Sequence, residues 1–130
     1  MFTFLRGISV LFILLLFACK KQESDKHAPA LYVISPLSNM EQSYTSDPQI
    51  HLECTVSDES HIEFIQAELL DSTGTIYYQK TLAPHVLLYP FHVHCTMMQP
   101  SSPQKMRFHF SSSDAAGNKI DTLIYFIFKP

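Results

Sequence analysis

Residues 49–56 read QIHLECTV, and they constrain the fold more than any other stretch of the chain. Ile50, Leu52, Cys54 and Val56 fall on one side, and His51, Glu53 and Thr55 on the other. Strict two-residue alternation is the signature of a strand with one face in a core and one in water. Similar short runs lie on either side of it, each bounded by turn residues. They are ALYVI (30–34), HIEFIQAELL (61–70), TIYYQKTL (75–82), YPFHVHCTMM (89–98), QKMRFHFSS (104–112) and IDTLIYFIF (120–128). The chain has only three glycines, so its turns rest mainly on Pro, Asp, Asn and Ser.

One segment has two readings. In 61–70, Ser60 and Glu63 have capping-box spacing, and Ile62, Ile65 and Leu69 share a helical face. As a strand, the same run turns Ile65, Ala67 and Leu69 inward and Gln66 and Glu68 outward. The turn cluster from Asp71 to Gly74 and the β-forming run after it favour the strand. Seven short strands in about 100 residues then predict an all-β, seven-strand antiparallel β-sandwich, its two apolar faces about 10 Å apart. The last run, 120–128, is nearly all apolar. That suits a strand packed on both sides or at a subunit contact.

Ahead of this domain, Arg6 precedes an apolar run from Ile8 to Ala18. A membrane-spanning helix needs roughly 20 apolar residues, so a run of this length reads as the core of a cleaved signal peptide. The sequence LFAC that closes the run resembles the lipobox of bacterial lipoproteins, with Leu16 and Ala18 before Cys19. The resemblance implies cleavage after residue 18 and several acyl chains on Cys19. Each buried methylene contributes about 0.8 kcal/mol, so several chains make a firm anchor. Lys20, rather than aspartate, follows Cys19, and KKQESDK resembles the surface-export tracts of Bacteroidota-type lipoproteins. Outer-membrane anchoring, facing either the periplasm or the outside, is the implied location. Three regions are expected: a signal peptide (1–18), a lipidated cysteine with a flexible tether (19–29), and a single β-domain (30–130). A ten-residue tether extends at most about 35 Å and averages nearer 17 Å as a coil.

The segment SSDAAGNKID (112–121) resembles the last hairpin of bacterial immunoglobulin-like extracellular domains, where D-x-x-G-N joins the final strands. Asp114, Gly117 and Asn118 match. The order of segments also resembles an uncharacterised family of small Bacteroidota lipoproteins carrying such a domain. The implied fold is immunoglobulin-like, or fibronectin type III-like. The chain departs from antibody domains in having no tryptophan and no cysteine in the penultimate strand.

Candidate chemistry is sparse. With Cys19 assigned to lipid, Cys54 and Cys95 sit on the apolar sides of neighbouring strands. They are either a disulfide, which an oxidising compartment allows, or two buried thiols acting as small hydrophobes. His92 and His94 project from one face about 6–7 Å apart. They chelate zinc or copper only if a third ligand arrives, with His51 or Glu53 on the adjacent strand and His109 on the other sheet as candidates. Otherwise they are solvated surface histidines. In such a sandwich three connections are expected to meet at one end, and they carry Asp58, Glu59 and His61, then Pro84 and His85, then Asp114 and Asn118. Converging oxygens suit Ca²⁺, while the same residues are ordinary turn caps.

No serine or cysteine sits in a nucleophile motif, and Cys95 faces away from its neighbouring histidines, so no enzymatic role is expected. The net charge of −3, with no basic patch, argues against nucleic acid. The expected function is a non-catalytic, lipid-anchored module that binds a protein or glycan, with no required cofactor. The alternatives are a divalent-metal protein using Zn²⁺ or Cu²⁺ at the histidines or Ca²⁺ at the loops, and a structural subunit of an envelope complex.

Overall fold

The computed structural model describes residues 24–130, so Cys19, the leader and the front of the tether lie outside the described residues. Seven strands form: β1 (Ala30–Ser35), β2 (Glu41–Ser43), β3 (Gln49–Asp71), β4 (Ile76–Leu82), β5 (Val86–Thr96), β6 (Gln104–Asp114) and β7 (Lys119–Lys129). Among the described residues there is no helix. The 61–70 segment is strand, with Ile65, Ala67 and Leu69 fully buried. The isolated capping-box spacing loses to three apolar side chains that only a two-residue period can bury together.

The two runs expected as separate strands, 49–56 and 61–70, are one long strand. Its first part pairs with β1 and β5, as in Val33↔Cys54↔Phe91. Its second part pairs with β4 and β6, as in Lys80↔Ala67↔Phe110. The register shifts between Ser57 and Ile62, where the strand exchanges one pair of neighbours for the other. β7 then continues outward from β6.

The sheet is mixed, which corrects the expectation of a purely antiparallel one. β2 runs parallel to β7, with Glu41↔Ile127 and Ser43↔Lys129. After β1 the chain crosses to the far edge of the molecule, where the Asn39 amide donates to Tyr125 O (2.8 Å) and the Ile127 amide to Met40 O (2.9 Å). A hairpin forces antiparallel pairing; a crossover does not, and β2 arrives by a crossover. Three polar residues, Glu41, Gln42 and Ser43, carry no apolar alternation that would announce it.

The core lies between the two sets of neighbours of β3. Phe91 of β5 stacks on Phe108 of β6 (centroids 6.4 Å) and meets Phe110 edge-on (5.8 Å), although β5 and β6 share no ladder. Ile50, Leu52, Ile62, Ile65 and Phe128 belong to the same buried cluster. β7 alternates: Ile124, Phe126 and Phe128 enter the core, while Leu123 and Tyr125 face outward and are about half exposed.

Cys54 and Cys95 are free and buried, which corrects the disulfide alternative. They lie on adjacent strands as expected, but Cys54 is opposite Phe91 and Cys95 is opposite Ile50. Four register positions separate them, roughly 13 Å along the strand. A disulfide needs Cα atoms within about 7 Å. Burial, helped by the charge of Glu53, pushes the Cys54 thiol up to about 12, and burial pushes Cys95 up to about 11.

Candidate metal centre

The outer face of β3 and β5 is built by register. His51 lies directly opposite His94, and Glu53 opposite His92. Residues two apart on a strand share a face, and directly opposed residues bring their side chains together. His51, His92 and His94 therefore form a triangle on a rigid two-strand platform. The His92 and His94 Nε2 atoms are 2.7 Å apart. The His51 and His94 ring centroids are 4.2 Å apart and tilted by 51°. One nitrogen from each of the three rings lies within 4.8 Å of the other two. His51 is half-buried, while His92 and His94 are exposed.

Asp47 flanks this triangle from the turn that leads into β3. Its Oδ2 accepts a hydrogen bond from His51 Nε2 (2.9 Å), and its Oδ1 accepts one from the Gln49 amide (2.9 Å). Gln42 on β2 donates to Asp47 O (3.2 Å) and Gln49 O (2.5 Å), so the turn is held from behind. The Gln49 amide, and then His51 and the charges of His51 and His94, hold the Asp47 carboxyl below its ordinary range against the opposing effect of burial.

This donor set suits a borderline divalent ion. Zinc binds imidazole nitrogen at about 2.0–2.1 Å, and in a tetrahedral shell that spacing puts donors about 3.3 Å apart. The His92–His94 pair needs to open by only about half an ångström to reach it. Imidazole suits zinc, copper and nickel, whereas calcium and magnesium take oxygen. Of the other candidate third ligands, Glu53 stays on the same face opposite His92. His109 is elsewhere: its Nδ1 is 3.1 Å from Glu68 Oε2 and its Nε2 is 3.1 Å from Asp121 Oδ1.

The loop residues divide among several roles. The three connections do converge: the Ala115 amide donates to His61 O (2.8 Å) and the His85 amide to Ile62 O (3.0 Å). Asp58 and Asp114 lie together, and the third carboxylate beside them is Asp25 from the tether. Glu59 lies instead with Asp25 and His27. The side chain of His61 belongs to neither group, and His85 is 2.7 Å from Glu63. Asn118 works as a donor: its amide and Nδ2 bond Asp114 Oδ1 (2.8 Å) and Oδ2 (2.7 Å), and Nδ2 also reaches Asp25 O (3.1 Å). Both oxygens of Asp114 are thereby committed to capping its own turn. Burial is the main cause that pushes the Asp58 carboxyl up; the Ser60 amide opposes it, and Asp25 and then Asp114 reinforce it.

Two residues were not readable as site residues from sequence. Asp25 is in the segment expected to be a flexible tether; residues 24–29 have no regular structure, but Ser60 Oγ donates to Asp25 Oδ2 (2.7 Å) and Pro29 is buried. Asp47 belongs to a turn, where strand periodicity gives no facing. Its only sequence signal is its place four residues before His51. The chain matches no protein-family model, and it matches no curated protein.

Proposed function

We propose that this is a lipid-anchored, non-catalytic cell-envelope protein whose β-domain binds a divalent transition-metal ion at His51, His92 and His94. The observation that carries the proposal is the cross-strand register that puts His51 opposite His94, with His92 two residues along. The histidine pair expected from sequence thereby acquires its third nitrogen donor. The oxygen cluster at the loops is the weaker candidate, because Asp114 spends both oxygens on Asn118.

We read the fold as an immunoglobulin-like sandwich of the fibronectin type III kind. On this reading β3 supplies one strand to each sheet, and the register shift after Ser57 is the corner between them. In support, Phe91 packs on Phe108 and Phe110 without a shared ladder. Gly117 takes φ +89° in the D-x-x-G-N turn, as the resemblance requires. The anchor rests on the lipobox resemblance at Cys19 alone. Palmitate labelling that disappears in a Cys19→Ala variant is the expected result, and unchanged labelling removes the anchor from the account.

Calorimetric titration of the full chain in detergent tests the metal site. The expected result is one Zn²⁺ per chain, lost in His92→Ala and His51→Ala, with no heat from Ca²⁺. Zinc heat that survives both substitutions would move the site elsewhere.

A second reading, a protein or glycan partner, is favoured by the apolar half of the same outer face. Tyr32 is opposite Thr55, which is opposite Pro90, with exposed Leu88 beside them. A third, an envelope-complex subunit docking through β7, rests on exposed Leu123 and Tyr125. Envelope pull-downs with Tyr32→Ser and Tyr125→Ser variants separate the two: each reading expects its own variant to lose a partner that the other retains.

A further inference from the structure

We infer that Asp47 is the fourth ligand of the ion, which makes the centre a closed three-nitrogen, one-oxygen site of the zinc type; this rests on the metal reading above. Two close approaches mark the four donor atoms. His92 Nε2 lies against His94 Nε2 at 2.7 Å, and His51 Nε2 lies against Asp47 Oδ2 at 2.9 Å. Each approach joins atoms at the tips of their side chains, and one nitrogen from each ring already lies within 4.8 Å of the others. Asp47 lies outside that 4.8 Å group, so its carboxylate must swing from His51 toward the other two rings; an ion between the pairs then replaces both hydrogen bonds with four coordinate bonds. Coordination needs the Nε2 lone pair of each ring, so the proton that His51 donates to Asp47 and the one shared between His92 and His94 leave those nitrogens for Nδ1 by way of solvent, and Asp47 enters as the carboxylate.

The position of Asp47 is prepared by the chain around it. Its other oxygen is spent on the Gln49 amide, so Oδ2 alone is free to turn to the ion. Gln42 fixes the carbonyls of residues 47 and 49, tying the turn to β2. A ligand pre-placed in this way loses little side-chain entropy on binding.

Closure decides the chemistry. Catalytic zinc sites keep a position for water beside three protein ligands, whereas holding sites fill all four. With Asp47 bound, no water sits on the ion to be ionised. The ion is held at an exposed surface rather than put to hydrolytic use. Three imidazole nitrogens and a single carboxylate oxygen favour Zn²⁺ over Ca²⁺ and Mg²⁺, which prefer six or more oxygens or an octahedral shell.

Asp47→Asn is the test variant, because asparagine keeps an oxygen for the Gln49 amide and so keeps the turn. Full chain in detergent is loaded with Zn²⁺ for calorimetry and with Co²⁺ for visible spectra between pH 6 and 9. The wild-type chain is expected to give a Co²⁺ spectrum that does not change with pH. In Asp47→Asn, zinc affinity is expected to fall at least tenfold, and the Co²⁺ spectrum to titrate near neutral pH as a metal-bound water ionises. Equal affinity and an unchanged, pH-independent spectrum in the variant would overturn the ligand role of Asp47 while leaving the three-histidine site standing. A wild-type chain that binds neither ion would overturn both.

Discussion

Asp71 shows how much one side chain does at a strand end. Its Oδ1 accepts from Thr73 Oγ1 (2.6 Å), the Thr73 amide (2.8 Å) and the Thr75 amide (3.0 Å), and its Oδ2 accepts from Tyr77 OH (3.1 Å). These bonds, led by the Thr73 hydroxyl, hold its carboxyl down at about 2. A depressed carboxylate stabilises the fold fully above its unfolded value near 4 and loses that contribution as pH falls through about 2. Thermal melts should therefore show Asp71→Asn well below wild type at pH 6, with the gap closing between pH 4 and 2. His109 has the opposite sign. Burial opposes its charge, but hydrogen bonds to Glu68 and Asp121, and their charges, outweigh burial and raise its pKa. Its contribution is complete below about 6.5 and lost as pH rises past the raised value. A His109→Gln variant should thus lose more stability at pH 6 than at pH 9, again read by melting temperature. For the core, Phe108→Ala removes a fully buried ring and should cost about 3–5 kcal/mol in denaturant titrations. The neutral, buried thiols of Cys54 and Cys95 should stay unreactive toward a disulfide reagent until the chain is unfolded. Rapid labelling of the native protein would contradict their placement.

At the scale of elements, much of the strand plan was legible. QIHLECTV faces as its alternation says, with Ile50, Leu52, Cys54 and Val56 all buried. The inward set Met106, Phe108 and Phe110 of β6 behaves the same way. Alternation reports which face a residue takes, but not which residue it meets across the ladder. That is why both cysteines were placed on the right face and yet the disulfide fails: a shift of four positions keeps the face and breaks the contact. It is also why the His92–His94 pair was visible while its union with His51 depended on a register that only the folded ladder supplies. β2 and the turn at Asp47 escaped because neither carries an apolar period. The β6–β7 turn supports a sharper test. Gly117 has φ +89° with open space around its missing Cβ, so Gly117→Ala meets backbone strain and no clash. A loss of about 1–2 kcal/mol is expected, and a neutral result would show that the turn relaxes.

For the whole molecule, β3 is the organising piece, because four of the other six strands pair with it. Its first half carries the histidine platform, and its second half ties into β6 and the core. The site is therefore on rigid ladder rather than on a loop, with only Asp47 contributed by a turn. The Asp25 contacts add one more constraint, since they fasten the tether beside Ser60 and Asn118 before it reaches β1. If Cys19 is lipidated as proposed, five residues separate it from Asp25, and the span between the two is at most about 22 Å. The domain then sits close to the bilayer. A ligand that binds only the folded state stabilises it in proportion to its affinity, by about 2.7 kcal/mol at a hundredfold excess over Kd. The most direct measurement is thus the denaturant stability of the wild-type chain and of a His51→Ala/His92→Ala/His94→Ala variant, each with and without Zn²⁺ at that excess. A gain of about 2.7 kcal/mol is expected for wild type and none for the variant; equal gains in both chains, or none in either, would contradict a metal site at the three histidines.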